Sequence, residues 1–180
     1  GRIAVYASID EGRGTMIELQ CESSPVASHE EFRELASDLA LQLATGPGAE
    51  TAEDLWSQPS PSHPGMTLEQ QRDDIANRIR EVFRLERIVR IDAPCGGYVH
   101  HTGTDGVLVE VKGGTAEAAK DICMHIAAMR PKVINKGDVD PAEVDKEREI
   151  LATQARTEGK PEKIIEKMVE GRLRNFFAER

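Results

Sequence analysis

Cys21, Ser23, Ser24 and His29 stand together in one stretch, CESSPVASH, and come nearest to a group that could attack a substrate. A thiol or hydroxyl beside an imidazole is reactive because the ring takes the proton as the nucleophile adds. Here the pattern stops short. Cys21 ends an apolar run and reads as a small core residue, and neither serine lies in a GxSxG turn. Cys95, His100, Cys123 and His125 carry metal-binding atoms without the paired spacing of a zinc site. His100 and His101 adjoin on an expected strand, which sends them to opposite faces. Gly12-Arg13-Gly14 and Gly113-Gly114 read as turn and cap glycines, since a phosphate loop needs GxxxxGKS/T or GxGxxG. The expectation is no catalytic residue, no metal and no cofactor.

The elements that carry these residues occur twice. Tyr6–Leu19 lies over Tyr98–Val111 at a shift of 92 residues, with GTMIEL against GVLVEV. Ser37–Thr45 lies over Lys120–Ala128 at a shift of 83, so that Leu39, Leu41 and Leu43 match Ile122, Met124 and Ile126. The repeat predicts strand, turn, strand, helix, twice. The first copy holds nine more residues before its helix, where Cys21–His29 lies. An insertion on a duplicated frame is a natural place for a binding site, because loops on rigid scaffolds carry most sites.

Composition narrows the function classes. The chain has 180 residues, 39% hydrophobic and 31% charged, which is ordinary for an α+β protein with a real core. Net charge of −9 argues against general affinity for nucleic acid or anionic membrane, and 4% aromatic residues leave little for base stacking. No apolar run is long enough to span a bilayer. Three cysteines without CxxC fit reduced thiols and a cytoplasmic location. The start, GRIAVYAS, opens in a strand without an initiator Met, and the expectation is a fragment.

Along the chain, Ile3–Ser8 and Thr15–Cys21 form a hairpin, and Ser28 with Glu31 is expected to cap a helix carrying Phe32, Leu35, Leu39 and Leu43. A Pro- and Ser-rich loop follows, with a helical turn near Asp54-Leu55-Trp56. Thr67 with Gln70 caps a second helix whose apolar face is Leu68, Ile75, Ile79 and Val82, and Phe83–Ile91 closes the sheet. The second copy places strands at Tyr98–His101 and Val107–Val111 and a helix from Thr115 to Met129. Asp140-Pro141 then opens a long charged helix to about Thr157. Gly159 and Pro161 turn the chain into another helix with an apolar seam of Ile164, Ile165, Met168, Val169, Leu173 and Phe176, facing Val144, Leu151 and Ala155.

GTMIELQCESSPVA, YVHHTGTDGVLVEVKG, AKDICMHIAAMRP and above all EGKPEKIIEKMVEGRLRNFF resemble translation elongation factor Ts, in family order from about Ile3 to Phe177. The resemblance implies an α+β fold of two similar subdomains of antiparallel sheet with packed helices, plus a projecting antiparallel helical hairpin. The expected boundaries are 1–92 with a loop at 46–66, then 93–138, then the hairpin at 139–180. The family also has an N-terminal helical module and a C-terminal continuation, in line with a fragment.

The function implied is guanine nucleotide exchange on the GTPase elongation factor Tu, by protein binding without covalent chemistry, nucleic acid or membrane. Family members sometimes pair, which leaves a homodimer open. In the family the inserted loop reads CETDFVA, and its Asp-Phe pair pushes between GTPase helices to disturb the magnesium site. The matching partner-binding residues are Ser23, Ser24, Pro25 and Val26, with Ser24 in place of Asp and Pro25 in place of Phe. Ile79 matches an apolar residue before a Gly-Glu-Asn run that also touches the partner, a run that reads Arg80-Glu81-Val82 here with Arg80 in place of the glycine, and His100 matches the histidine of the YxH segment. A non-catalytic paralogue that binds the GTPase or another assembly partner is the alternative. A hydrolase using Cys21 or Ser24 lacks an activated base.

Overall fold

The computed structural model describes residues 1–179. The chain divides into two compact units, Gly1–Ala128 and Met129–Arg180.

The first unit begins with β1 (Arg2–Ser8) and β2 (Arg13–Gln20), an antiparallel hairpin to which β3 (Arg84–Ile91) adds on the far edge of β2. A bulge between Glu18 and Leu19 shifts the β2–β3 register. Between β2 and β3 lie α1 (Ser24–Ala27), α2 (Glu30–Thr45), α3 (Ala52–Trp56) and α4 (Leu68–Ile79). Phe32, Leu35, Leu39 and Leu43 of α2 are fully buried with Ile17 and Leu19 of β2, following the helical and alternating spacings of the sequence. Leu55, Trp56, Leu68 and Ile75 close the same core, and Phe32 meets Phe83 edge to face at 5.0 Å.

Two local expectations fail here. The Ser28–Glu31 capping box does not form: His29 is the N-cap of α2 without a side-chain bond, and Ser28 ends α1. Glu31 instead takes two hydrogen bonds from Arg78, at 2.6 and 3.0 Å, a charged pair stronger than a neutral cap. Val82 does not share the buried face of α4 and is 67% exposed. The helix stops at Arg80 in a left-handed conformation (φ 63°), and the turn carries Val82 outward.

The second hairpin, β4 (Cys95–Val99) with β5 (Gly106–Glu110), repeats the first in register. Tyr6 pairs with Thr15 and Tyr98 with Val107; Ala7 pairs with Gly14 and Val99 with Gly106. α5 (Ala116–Met129) follows, and buries Ala119 and Cys123. The hairpins pack on each other about a pseudo-two-fold axis. A Cβ placed on Gly14 would lie 2.6 Å from Cys95, and one placed on Gly106 would lie 2.5 Å from Ile3, which is the counterpart of Cys95. Such reciprocity, in which residue i meets j and its equivalent meets the equivalent of i, is the mark of a two-fold contact.

The second unit holds a short turn of 3-10 helix (Lys136–Asp138), α6 (Pro141–Thr157) and α7 (Glu162–Ala178). Asp140 caps α6 by accepting from the Ala142 amide at 2.9 Å, and Gly159 makes the reversal with φ at 72°. Leu151 and Ala155 are buried with Ile165, Val169, Leu173 and Phe176, while Ile164 turns outward. Arg148 pairs with Glu170 and Arg156 with Glu162, as antiparallel helices require.

Candidate functional site

The nine-residue insertion folds as a tight turn on the rim of the first core. β2 ends at Gln20, the Cys21 thiol donates to the Ser23 carbonyl at 3.2 Å, and Ser23 is the extended N-cap of α1. Proline suits the first turn of a helix because no partner waits there for its missing N–H. Pro25 occupies that turn. Val26 and Ala27 pack against the core on one side, and Ser24 and Pro25 are exposed on the other. The Ser28 and His29 amides close the turn onto the Pro25 and Val26 carbonyls, at 3.1 and 3.0 Å. The exposed tip is therefore Ser24 and the Pro25 ring, on a base that is anchored.

The second anchor comes from the end of α4, 58 residues away. Oε2 of Glu81 accepts from the Glu22 amide at 3.0 Å and the Ser23 amide at 3.1 Å, and Oε1 accepts from the Ser23 hydroxyl. These donors hold the Glu81 carboxyl below its usual value of 4.5, the Ser23 hydroxyl first among them. Ile79 packs on the core just before it, and Arg80 is exposed. The structure thus brings 23–26 together with 79–81 through Glu81, the middle residue of the Arg80-Glu81-Val82 run. No local spacing signals that Glu81 binds Glu22 and Ser23, because those partners are set by the turn at Arg80.

His100 sits elsewhere in the first unit, in the turn after β4. Its amide donates to the Asp105 carbonyl at 2.8 Å, and its Nδ1 lies 3.0 Å from the Thr102 hydroxyl. The expected strand ends at Val99, so His100 and His101 do not point to opposite faces. Their rings lie 4.0 Å apart, tilted by 48°.

One Ser-His-Asp group invites a catalytic reading, and its order argues against it. The Ser62 hydroxyl donates to Asp38 and lies 2.7 Å from Nδ1 of His63. A hydrolytic triad places the imidazole between acid and hydroxyl, so that the ring can accept the hydroxyl proton. Here the hydroxyl is in the middle. Asp38 also accepts from Gln71 at 2.9 Å, and Gln71 accepts from Ser60 at 2.9 Å, a buried network that ties the 57–66 loop to α2 and α4. Cys95 and Cys123 are buried, and burial raises both thiols above their ordinary value of 9.0. Among the described residues no three His, Cys, Asp or Glu side chains gather as a metal would need, and no helix is long and apolar enough to cross a membrane.

Comparison with known proteins bears on the whole chain. The sequence model of the family described as Elongation factor TS matches residues 22–180. The chain is 40% identical over 182 residues to the elongation factor Ts of Thioalkalivibrio sulfidiphilus, covering 99% of this chain and 61% of that protein. It is 37% identical over 187 residues to the elongation factor Ts of Clostridium botulinum, with the same coverage. It is also 37% identical over 195 residues to that of Aquifex aeolicus, covering 66% of the relative.

Proposed function

The chain belongs to the elongation factor Ts family, and from that membership we propose that it is a guanine nucleotide exchange factor for elongation factor Tu. The observation that carries the proposal is the turn at 23–26, in the place of the family's exchange loop, exposed at Ser24 and Pro25 and fixed at its base. No group need do covalent chemistry. Linkage is reciprocal: a protein that favours the nucleotide-free GTPase weakens GDP by the factor by which GDP weakens its own binding. Ile79, Arg80 and His100 are proposed as further contacts, and the cytoplasm as the setting. Proline is stiff and buries less than a phenylalanine ring, so the turn acts through backbone shape.

The test is release of a fluorescent GDP analogue from elongation factor Tu as this chain is added. Faster release that saturates with concentration is expected; no binding and no faster release overturns the proposal. The neutral Ser24 and small Pro25 favour one other reading, a relative that binds without efficient exchange. Ser24→Asp with Pro25→Phe separates the two. Little change supports exchange by the turn as it stands, and a large gain supports the binding-only reading.

A further inference from the structure

We infer that Glu81 is a positioning residue for exchange, holding residues 22–24 in one shape and joining 23–26 with 79–80 as a single rigid surface. The inference rests on the function proposed above and adds a residue to it.

A helix of four residues has no stability of its own, because nucleation costs more than one turn returns. The shape of α1 must come from what holds its two sides. On the inner side Val26 and Ala27 press on the core. At its start the usual local cap is missing: Ser23 makes no side-chain bond to the helix, since its hydroxyl is engaged by Glu81. The Glu81 carboxylate takes over that task from another element, binding two successive amides with one oxygen and the hydroxyl with the other. Charged acceptors of amide hydrogens are about twice as strong as neutral ones.

The direction of that carboxylate depends on the left-handed Arg80, which reverses the chain at the end of α4. One residue therefore fixes both segments. Because the tip offers only Ser24 and Pro25, with neither a charge nor a large ring, its effect on a partner depends on being pre-organised. Loss of the clamp leaves the contacting side chains in place and removes their fixed geometry.

The experiment uses the full chain with Glu81→Ala, Glu81→Gln and Ser23→Ala. Amide hydrogen exchange on the free protein reads the clamp directly: Glu22 and Ser23 are expected to be protected in the native chain and unprotected in Glu81→Ala. With elongation factor Tu and labelled GDP, Glu81→Ala is expected to lower the maximal release rate about tenfold, as lost orientation does. The half-saturating concentration should change far less. Glu81→Gln, which keeps one acceptor oxygen, should recover part of the rate, and Ser23→Ala added to Glu81→Ala should cost little more. The inference is overturned if the native Glu22 and Ser23 amides exchange as fast as in Glu81→Ala, or if Glu81→Ala releases GDP at the native maximal rate. A native chain that protects both amides yet never speeds release overturns the proposed function and Glu81's part in it, while leaving the clamp itself measured.

Discussion

Val5 and Gly97 are counterparts in the repeat, and they face each other across the two hairpins. A Cβ placed on Gly97 would lie 2.6 Å from Cγ1 of Val5 and 2.9 Å from Cβ of Ala7. The pseudo-two-fold axis brings each strand against its own equivalent, so identical residues could not both be large there. Gly97→Val should destabilise the protein by about 1–3 kcal/mol through overpacking. Val5→Gly in the same chain should recover part of the loss, as urea unfolding would measure; a double variant as unstable as both losses added would argue against the contact.

Arg80 holds a conformation that an L side chain adopts at a cost, with φ at 63° and ψ at 40°. Arg80→Gly should stabilise the fold by about 1 kcal/mol. For a chain of this size that raises the melting midpoint by about 2–4 °C. A fall in the midpoint would mean that the arginine side chain contributes more than its backbone strain removes.

Glu18 is held below its usual 4.5 by the Gln20 side chain first and by Arg87 next, the latter at 2.6 Å. A lowered carboxyl adds stability above its unfolded value, and that contribution is lost as pH falls through the folded value. Arg87 is largely exposed, so Glu18→Gln should cost less than about 1 kcal/mol at neutral pH. The gap between native and variant stability should close as the pH falls below 4.5. A gap that widens in acid would reverse the sign of this assignment.

Cys95 and Cys123 are buried, at 2% and 0% exposure, with thiols raised by burial, whereas Cys21 is only partly buried. The thiolate is the reactive form. Native protein at neutral pH should therefore give up Cys21 to an alkylating reagent first, and yield Cys95 and Cys123 only after unfolding. Mass spectrometry of the labelled peptides checks the order.

Much of the scaffold was legible because its signals are local. Thr67 and Gln70 lie one helical turn apart, and they form the capping box that this spacing demands. Asp140 before Pro141 caps α6 for the same reason. The alternation in GTMIEL and GVLVEV set two hairpins with one shared register. Ser28 with Glu31 had an equally good local pattern and lost to Arg78, 47 residues on from Glu31.

The amino-acid order alone thus determined the two long paired helices from local spacings and, through runs that recur along the chain, the repeat and the place of the inserted turn, while the family came from the resemblance of whole blocks such as EGKPEKIIEKMVEGRLRNFF. Only the tertiary structure decided that Glu81 clamps Ser23, that the His100 ring lies tilted against that of His101, and that Gly14 and Gly106 are the places where the hairpins meet. Those facts depend on where the chain reverses, at Arg80 and after Val99. A reversal of one residue moves distant partners together without leaving a period in the sequence.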